Sequence, residues 1–148
     1  MGAYHRPEEL DTALRLLAMG PVVPLAGGTD LFPADAARSA WGEPALDTPD
    51  GPDLVDLSGL NALRRIADLA DRVEIGARVT WTDALHAPLP PWFDAVRQAA
   101  REVGGMQIQN RGTLVGNLCN ASPAADGVPP LRALDSRVRL ASVRGTRE

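Results

Sequence analysis

The stretch Gly112–Asp126, GTLVGNLCNASPAAD, limits what this chain can build more than any other segment. It joins small residues, a Gly-Asn pair and an Asn-Ala-Ser-Pro turn to one acidic residue. It has too few bulky apolar side chains to form a core. Glycine, asparagine and proline also disfavour a helix interior. The segment therefore reads as backbone that wraps a ligand, because small residues expose main-chain N–H groups to an anion. A second segment of this character, PLAGGTDL, occupies 24–31. Two such loops, each after an apolar stretch, predict two walls of one phosphate cradle.

Around these loops the pattern is mixed. Pro7 fits a first helical position, and Glu8, Glu9 and Asp11 follow where the helix dipole favours acid. Leu10, Ala13, Leu14 and Leu17 recur at helical spacing, and Gly20 ends the run. Pro21–Leu25 reads as a short buried strand that delivers the chain into Ala26-Gly27-Gly28-Thr29, and Asp53–Leu57 as a second strand. Between them, prolines 33, 44, 49 and 52 predict a surface loop, with one helical turn near Asp35–Ser39 and a mobile tail, DTPDGPD. Leu63–Leu69 and Arg72–Val79 predict a hairpin, since Val73, Ile75, Ala77 and Val79 alternate with other residues. Thr80 and Asp83 have the spacing of a helix capping box. Pro91 opens a helix to about Val103, with Phe93, Val96, Ala100 and Val103 on one face and Gly104-Gly105 as its stop. Asp126–Leu134 suits a short helix with Pro129 and Pro130 in its first turn, and Arg137–Ser142 a last strand. Without regular βα alternation, the order predicts α+β rather than a Rossmann sheet, and no G-x-G-x-x-G follows a strand.

Composition removes several chemistries. All 15 basic residues are arginine. A Walker P-loop and a Schiff base both need lysine, so neither belongs to this chain. The single Cys119 excludes an internal disulfide, a multi-cysteine zinc site and a cysteine-bound iron–sulfur cluster. A net charge of −4 gives no footing for nucleic acid. No apolar run reaches the length that spans a bilayer, and MGAYHRPEELD lacks the apolar core of a signal peptide. A cytoplasmic, reducing setting is expected, with no membrane insertion. His5 and His86 are far apart and have no partners at ligand spacing, so no metal site is assigned. No Ser-His-Asp order exists, and no catalytic side chain is assigned. Trp41, Trp81 and Trp92 are read as packing residues and Cys119 as a small buried one.

Taken together, Tyr4, Pro7 and Leu10, AGGTDL at 26–31, LVDLSGLNALRRI at 54–66, VEIGARVTWTDAL at 73–85 and GTLVGNLCNASPAAD at 112–126 resemble one family. The chain is similar to the FAD-binding subunit, or medium chain, of the molybdenum hydroxylases. These include the flavin parts of xanthine dehydrogenase, carbon monoxide dehydrogenase and related aldehyde or N-heterocycle oxidoreductases. The resemblance implies a two-lobed α+β fold of the PCMH/vanillyl-alcohol-oxidase-like type. A small βαββ lobe at 1–57 and a larger α+β lobe at 58–148 would hold FAD in the crevice between them. It further implies an electron-transfer module, partnered by a molybdenum cofactor-binding large subunit and a 2Fe-2S small subunit. Members of the family continue into another C-terminal domain. Its absence would leave the second lobe truncated, the flavin site open and apolar surface exposed near Leu131–Val143. Two rivals stay open: a degenerate or truncated flavin fragment without FAD, and another PCMH-type FAD oxidoreductase.

The resemblance also implies site residues. FAD carries a diphosphate, and without lysine it must be bound by main-chain N–H groups, hydroxyls and arginine. Leu25, Ala26, Gly27, Gly28, Thr29 and Asp30 form the first expected contact. On local grounds alone, a plain glycine turn with Asp30 as a cap outweighs a binding role. Thr113, Leu114, Val115, Gly116 and Asn117 align with the family's diphosphate-binding turn, with Asn117 contacting phosphate or bracing the first loop. Asp126 aligns with the acid that accepts hydrogen bonds from flavin sugar or ribityl hydroxyls. Locally that role and helix capping are evenly matched, whereas Asn120 and Ser122 read as turn formers. Two departures stand out. Val115 replaces the first of two family glycines, which would be costly at a positive φ. Gln109 stands where the family has arginine, with Arg111 two residues on.

Overall fold

Short apolar runs alternate with helix formers through the first sixty residues, and the product is a small parallel sheet. The computed structural model describes residues 2–43, 46 and 51–148. The chain divides into two compact units, 1–61 with 138–148, and 62–137. Residues 138–148 thus group with the first unit rather than with the segment that starts at 58.

In the first unit the order is β1 (Tyr4–His5), α1 (Leu10–Leu17), β2 (Val22–Leu25), α2 (Leu31–Ala40) and β3 (Asp53–Asp56). The strands lie in the order β1-β3-β2, and both pairings are parallel. Tyr4 faces Leu54 and His5 faces Val55, while Leu25 faces Asp56. The carboxyl ends of all three strands therefore meet one sheet edge. Ala13, Leu25, Val55 and Leu60 are buried. A single 3₁₀ turn, Leu57–Gly59, folds directly onto the chain leaving β1. A Cβ at Gly59 would lie 2.3 Å from the Pro7 carbonyl oxygen, so only glycine permits the crossing.

Helix α2 corrects the loop expected from residue 33. Pro33 lies in the first helical turn, where its missing N–H forfeits no bond. The alanines and Arg38 that follow are strong helix formers. The tail at 47–50 lies outside the described residues. With α2 in place, the first unit does alternate strand and helix, although the chain as a whole is α+β as expected. Its C-terminal part is a hairpin, β6 (Leu140–Ser142) with β7 (Gly145–Arg147), lying against α1. The sequence reading anticipated the first of these strands but not its partner.

The second unit begins with the expected hairpin, β4 (Ile66–Asp68) and β5 (Val73–Ile75), in the register Ile66 to Ile75. Five short helices follow: α3 (Trp81–His86), α4 (Asp94–Glu102), α5 (Met106–Arg111), α6 (Leu114–Asn120) and α7 (Val128–Ala133). Pro91–Phe93 forms a 3₁₀ turn into α4, and Phe93, Val96, Ala100 and Val103 are all buried, the predicted face. They join Val79, Trp81, Ala84, Leu89, Leu114 and Leu131 in one core. With aromatics scarce, Trp81 supplies its largest side chain, 2% exposed. Trp41 and Trp92 do not pack as expected: they are 84% and 56% exposed, and Trp92 only rests against Phe93. Cys119 is likewise exposed rather than buried. The proline-rich turn at 87–90 is held by Arg97, whose guanidinium donates to the carbonyls of Ala87, Leu89 and Pro90 and pairs with Asp94 at 2.6 Å.

Candidate functional site

The first loop leaves the carboxyl end of β2 and enters the N-terminus of α2, so it follows a parallel strand at the edge where open sheets bind ligands. Leu25 is buried and anchors it, while Ala26, Gly27, Gly28 and Thr29 are half-buried and Asp30 is exposed. Gly28 has a φ of +75°. A Cβ there would stand 2.6 Å from the Phe32 ring and 3.2 Å from Leu25. Conformation and crowding both require glycine, and Phe32 is the partner that sequence reading missed. The Phe32 and Ala34 N–H groups donate to the Gly28 and Asp30 carbonyls as α2 begins. Among the described residues, the N–H groups of Gly27, Gly28 and Thr29 donate to no protein acceptor.

The second segment differs from its expectation. Leu114–Asn120 is helix α6, and Thr113 is its N-cap, its hydroxyl accepting from the Gly116 N–H at 3.1 Å. A glycine is needed at 116 because a Cβ would sit 2.5 Å from that hydroxyl. Gly116 and Asn117 occupy its first turn and Asn120 its last position, where capping and tertiary contacts outweigh propensity. Leu114 is a core residue, 1% exposed, and its N–H donates to Val79. The Asn117 N–H bonds the Thr113 carbonyl. Of these expected anion donors, the N–H groups of Leu114, Gly116 and Asn117 are therefore spent within the unit. That of Val115 lies in the first turn, where a helix gives it no partner of its own. Val115 is helical and does not have positive φ, so the feared strain is absent.

Asn117 braces a neighbour in its own unit: its Oδ1 accepts from the Gly127 N–H at 3.0 Å. Gly127 leaves no room for a side chain, since a Cβ would stand 2.8 Å from that oxygen and 3.0 Å from Trp81. The bond fixes the turn before α7, and exposed Asp126 is held beside it. Asp126 borders an open groove of about 800 Å³ whose far wall includes Gln98, Arg101 and Glu102 of α4. Gln109 replaces the expected arginine with a structural role, donating to the Arg101 and Gly104 carbonyls. Arg111 is exposed.

Two charged clusters position these segments. At the end of β3, Asp56 accepts from the Tyr4 hydroxyl, the Ser58 N–H at 2.8 Å and the Ser58 hydroxyl at 2.7 Å. Burial pushes its carboxyl up, but the hydrogen bonds from Tyr4 and Ser58 outweigh it and the net shift is downward. In the second unit, Asp83 takes a two-point bond from Arg64 at 2.9 and 3.0 Å and completes the predicted capping box with Thr80. Arg64 chiefly holds the Asp83 carboxyl at about 2. Thr80 in turn forms an isolated antiparallel bridge with Thr113. The order of residues offered no sign of that link.

Among the described residues there is no group of His, Cys, Asp and Glu fit to hold a metal ion. No helix there is long and apolar enough to cross a membrane. Of the surface expected near Leu131–Val143, Leu131 is buried, whereas Val138, Leu140 and Val143 are exposed.

Similarity to known proteins extends along the chain. The model of the family described as "FAD binding domain in molybdopterin dehydrogenase" matches residues 1–148. The chain is 36% identical over 149 residues to the nicotinate dehydrogenase FAD-subunit of Eubacterium barkeri, covering 98% of this chain and 47% of that protein. It is 33% identical over 147 residues to the glyceraldehyde dehydrogenase medium chain of Sulfolobus acidocaldarius, covering 98% and 49%. Among solved structures, quinoline 2-oxidoreductase from Pseudomonas putida 86 matches with a TM-score of 0.86 and 28% identity, over 99% of this chain and 49% of that one. The chain spans about half the length of the curated relatives it matches.

Proposed function

Because the chain belongs to the family of FAD-binding domains in molybdopterin dehydrogenases, we propose that it holds the flavin of an oxidoreductase medium subunit. One observation carries the assignment of residues. The N–H groups of Gly27, Gly28 and Thr29 follow one another at the carboxyl end of a parallel strand with no protein acceptor. Half-buried donors of this kind fit the diphosphate of FAD, which this lysine-free chain must bind without an ammonium group.

In this reading Ala26–Asp30 form the principal anion contact, with Leu25 fixing their base from the core. Thr113–Asn117 contribute less than their composition suggests, chiefly the Val115 N–H, because the Leu114 N–H is spent on Val79 and those of Gly116 and Asn117 on Thr113. Asp126 offers a carboxylate to neutral hydroxyls. The chemistry that FAD supplies when bound is redox chemistry, taking up electrons and passing them to an acceptor. The protein's own residues bind, orient and exclude water. A molybdenum cofactor-binding large subunit and a 2Fe-2S small subunit are the partners proposed, in the cytoplasm. Substrate choice belongs to another chain. The rival reading, a fragment that has lost FAD, drew on Val115 and on the family's further C-terminal domain; the ordinary helical backbone at Val115 removes only the first of these grounds.

Titration of the purified chain with FAD, followed by quenching of flavin fluorescence, tests the reading. Saturable binding is expected, and co-expression with neighbouring chains should yield a complex that contains molybdenum and iron. Failure to quench would sink the flavin assignment. Binding without complex formation would sink the partner assignment alone.

A further inference from the structure

Lysine is absent, so a cationic contact with an anion in the first unit falls to arginine or to His5, and His5 is engaged by Asp53 at 3.2 Å. That unit holds few candidates. Arg15 lies on α1 and bonds Thr12, and Arg38 sits in the last turn of α2, away from the loop that enters the helix. Arg139, Arg144 and Arg147 belong to the C-terminal hairpin region. Arg6 is different. It follows β1 immediately, and the register that pairs His5 with Val55 sets it level with Asp56. On the other side of β3, Asp56 faces Leu25, the last residue before the Ala26–Asp30 loop. Arg6, Asp56 and Leu25 thus form one row across the carboxyl edge of the sheet, with Arg6 two strand spacings, roughly 10 Å, from the loop base.

The Arg6 side chain is also aimed. Its Nε donates to the Ser58 hydroxyl at 2.8 Å, and that hydroxyl donates to Asp56 at 2.7 Å. The turn bearing Ser58 lies close because Gly59 has no side chain; a Cβ there would be 3.6 Å from the Arg6 Cγ. Asp56 is also held by the Tyr4 hydroxyl, which donates to the same oxygen, Oδ2, as the Ser58 hydroxyl. One nitrogen of the guanidinium is therefore anchored, while the two terminal nitrogens make no hydrogen bond among the described residues and the guanidinium charge acts on the nearby Asp56 carboxylate. An arginine so held presents a fork suited to two phosphate oxygens at little further loss of side-chain freedom.

We propose that Arg6 is a diphosphate-binding residue of the flavin site, oriented by the Ser58–Asp56–Tyr4 chain. The inference rests on the flavin reading above and extends it to a residue outside both glycine-containing segments. Tyr4 and Ser58 act through Arg6 and are positioning residues. The adenosine half of the cofactor carries the same diphosphate, whereas riboflavin has none, so the ligands themselves separate the possibilities.

The test uses the full chain with FAD, ADP and riboflavin as probes, each titrated at two salt concentrations. Arg6→Gln is expected to weaken FAD and ADP about tenfold, leave riboflavin unchanged and flatten the salt dependence. Arg6→Lys should restore part of the salt dependence but not the full affinity, since lysine lacks the fork. Ser58→Ala should weaken FAD and ADP by less than Arg6→Gln, because it frees the guanidinium without removing it. Thermal melting checks that each variant is folded. Unchanged affinity and salt dependence in folded Arg6→Gln overturns the inference while the flavin reading survives. An equal loss for all three ligands also overturns it, by making Arg6 a structural strut. If the unaltered chain binds no FAD, the flavin reading itself falls and takes this inference with it.

Discussion

Replacing Asp83 by asparagine probes the joint that starts α3. The variant removes the charge that binds Arg64 at two points and weakens the reciprocal bond to the Thr80 N–H, while keeping the side-chain shape. A capping interaction contributes about 1 kcal/mol, and a partly exposed ion pair with good two-point geometry up to about 1 kcal/mol. The expected loss is therefore about 2 kcal/mol at pH 7. Linkage gives an independent figure. Lowering the Asp83 carboxyl from 3.8 to about 2 corresponds to a little over 2 kcal/mol, at about 1.4 kcal/mol per pH unit. Asp83 is 29% exposed and Arg64 52%, so solvent screening makes this an upper bound. The sign is fixed by the direction of the shift. The folded value lies below the unfolded one, so the stabilisation is complete above pH 3.8 and is lost as the pH falls towards 2. Urea unfolding of both proteins at pH 7, 5, 4 and 3 reads the difference directly. The gap should be constant down to about pH 4 and shrink below it. A gap that stays the same through pH 3, or is absent at pH 7, would refute the argument.

Gly28→Ala combines a φ of +75° with a Cβ 2.6 Å from the Phe32 ring, so it should lose about 2 kcal/mol of stability in urea unfolding and weaken FAD binding. Gly28→Ala with Phe32→Leu relieves the crowding but not the φ, and should recover only part of the stability. Val115→Gly places glycine inside α6; the variant should lose about 1 kcal/mol and bind FAD no more tightly, as flavin titration will show. Asn117→Ala leaves the buried Gly127 N–H without its acceptor, at a cost of about 1–2 kcal/mol in the same unfolding assay.

The legible parts of this fold were those whose cause is local. Helix α1, the buried face of α4 and the Thr80–Asp83 box each follow from spacing within a few residues; the last two are where the sequence put them, while α1 forms at Leu10–Leu17, starting three residues after the Pro7 expected to open it. Helix α2 was hidden because four prolines in twenty residues outweighed a run of alanines, although the first proline stands where a helix tolerates it. Helix α6 was hidden for a different reason. Its small residues do mark a close approach, but the approach is to the protein itself: Gly116 to the Thr113 hydroxyl, and Asn117 to Gly127. Composition distinguishes a crowded backbone from an uncrowded one, and does not say whether ligand or chain does the crowding. The strand β7 and the Thr80–Thr113 bridge depend on partners distant in sequence, which no local pattern records.

Thr80 and Thr113 each cap a helix with the hydroxyl, and their backbones are bridged to one another. The amides they hold, at Asp83 and Gly116, are thirty-three positions apart along the chain, yet neither cap can be displaced without disturbing the strand-like pairing that carries the other. α3 and α6 therefore share a single point of origin and are expected to open together, with matching hydrogen-exchange protection of the Asp83 and Gly116 amides, rather than to fray independently. Helices of six and seven residues are each too short to persist alone, so the caps and the bridge between them hold the segment that contains Val115 and Asn117. Its footing therefore includes Val79 and Thr80, before Trp81, as much as α6 itself.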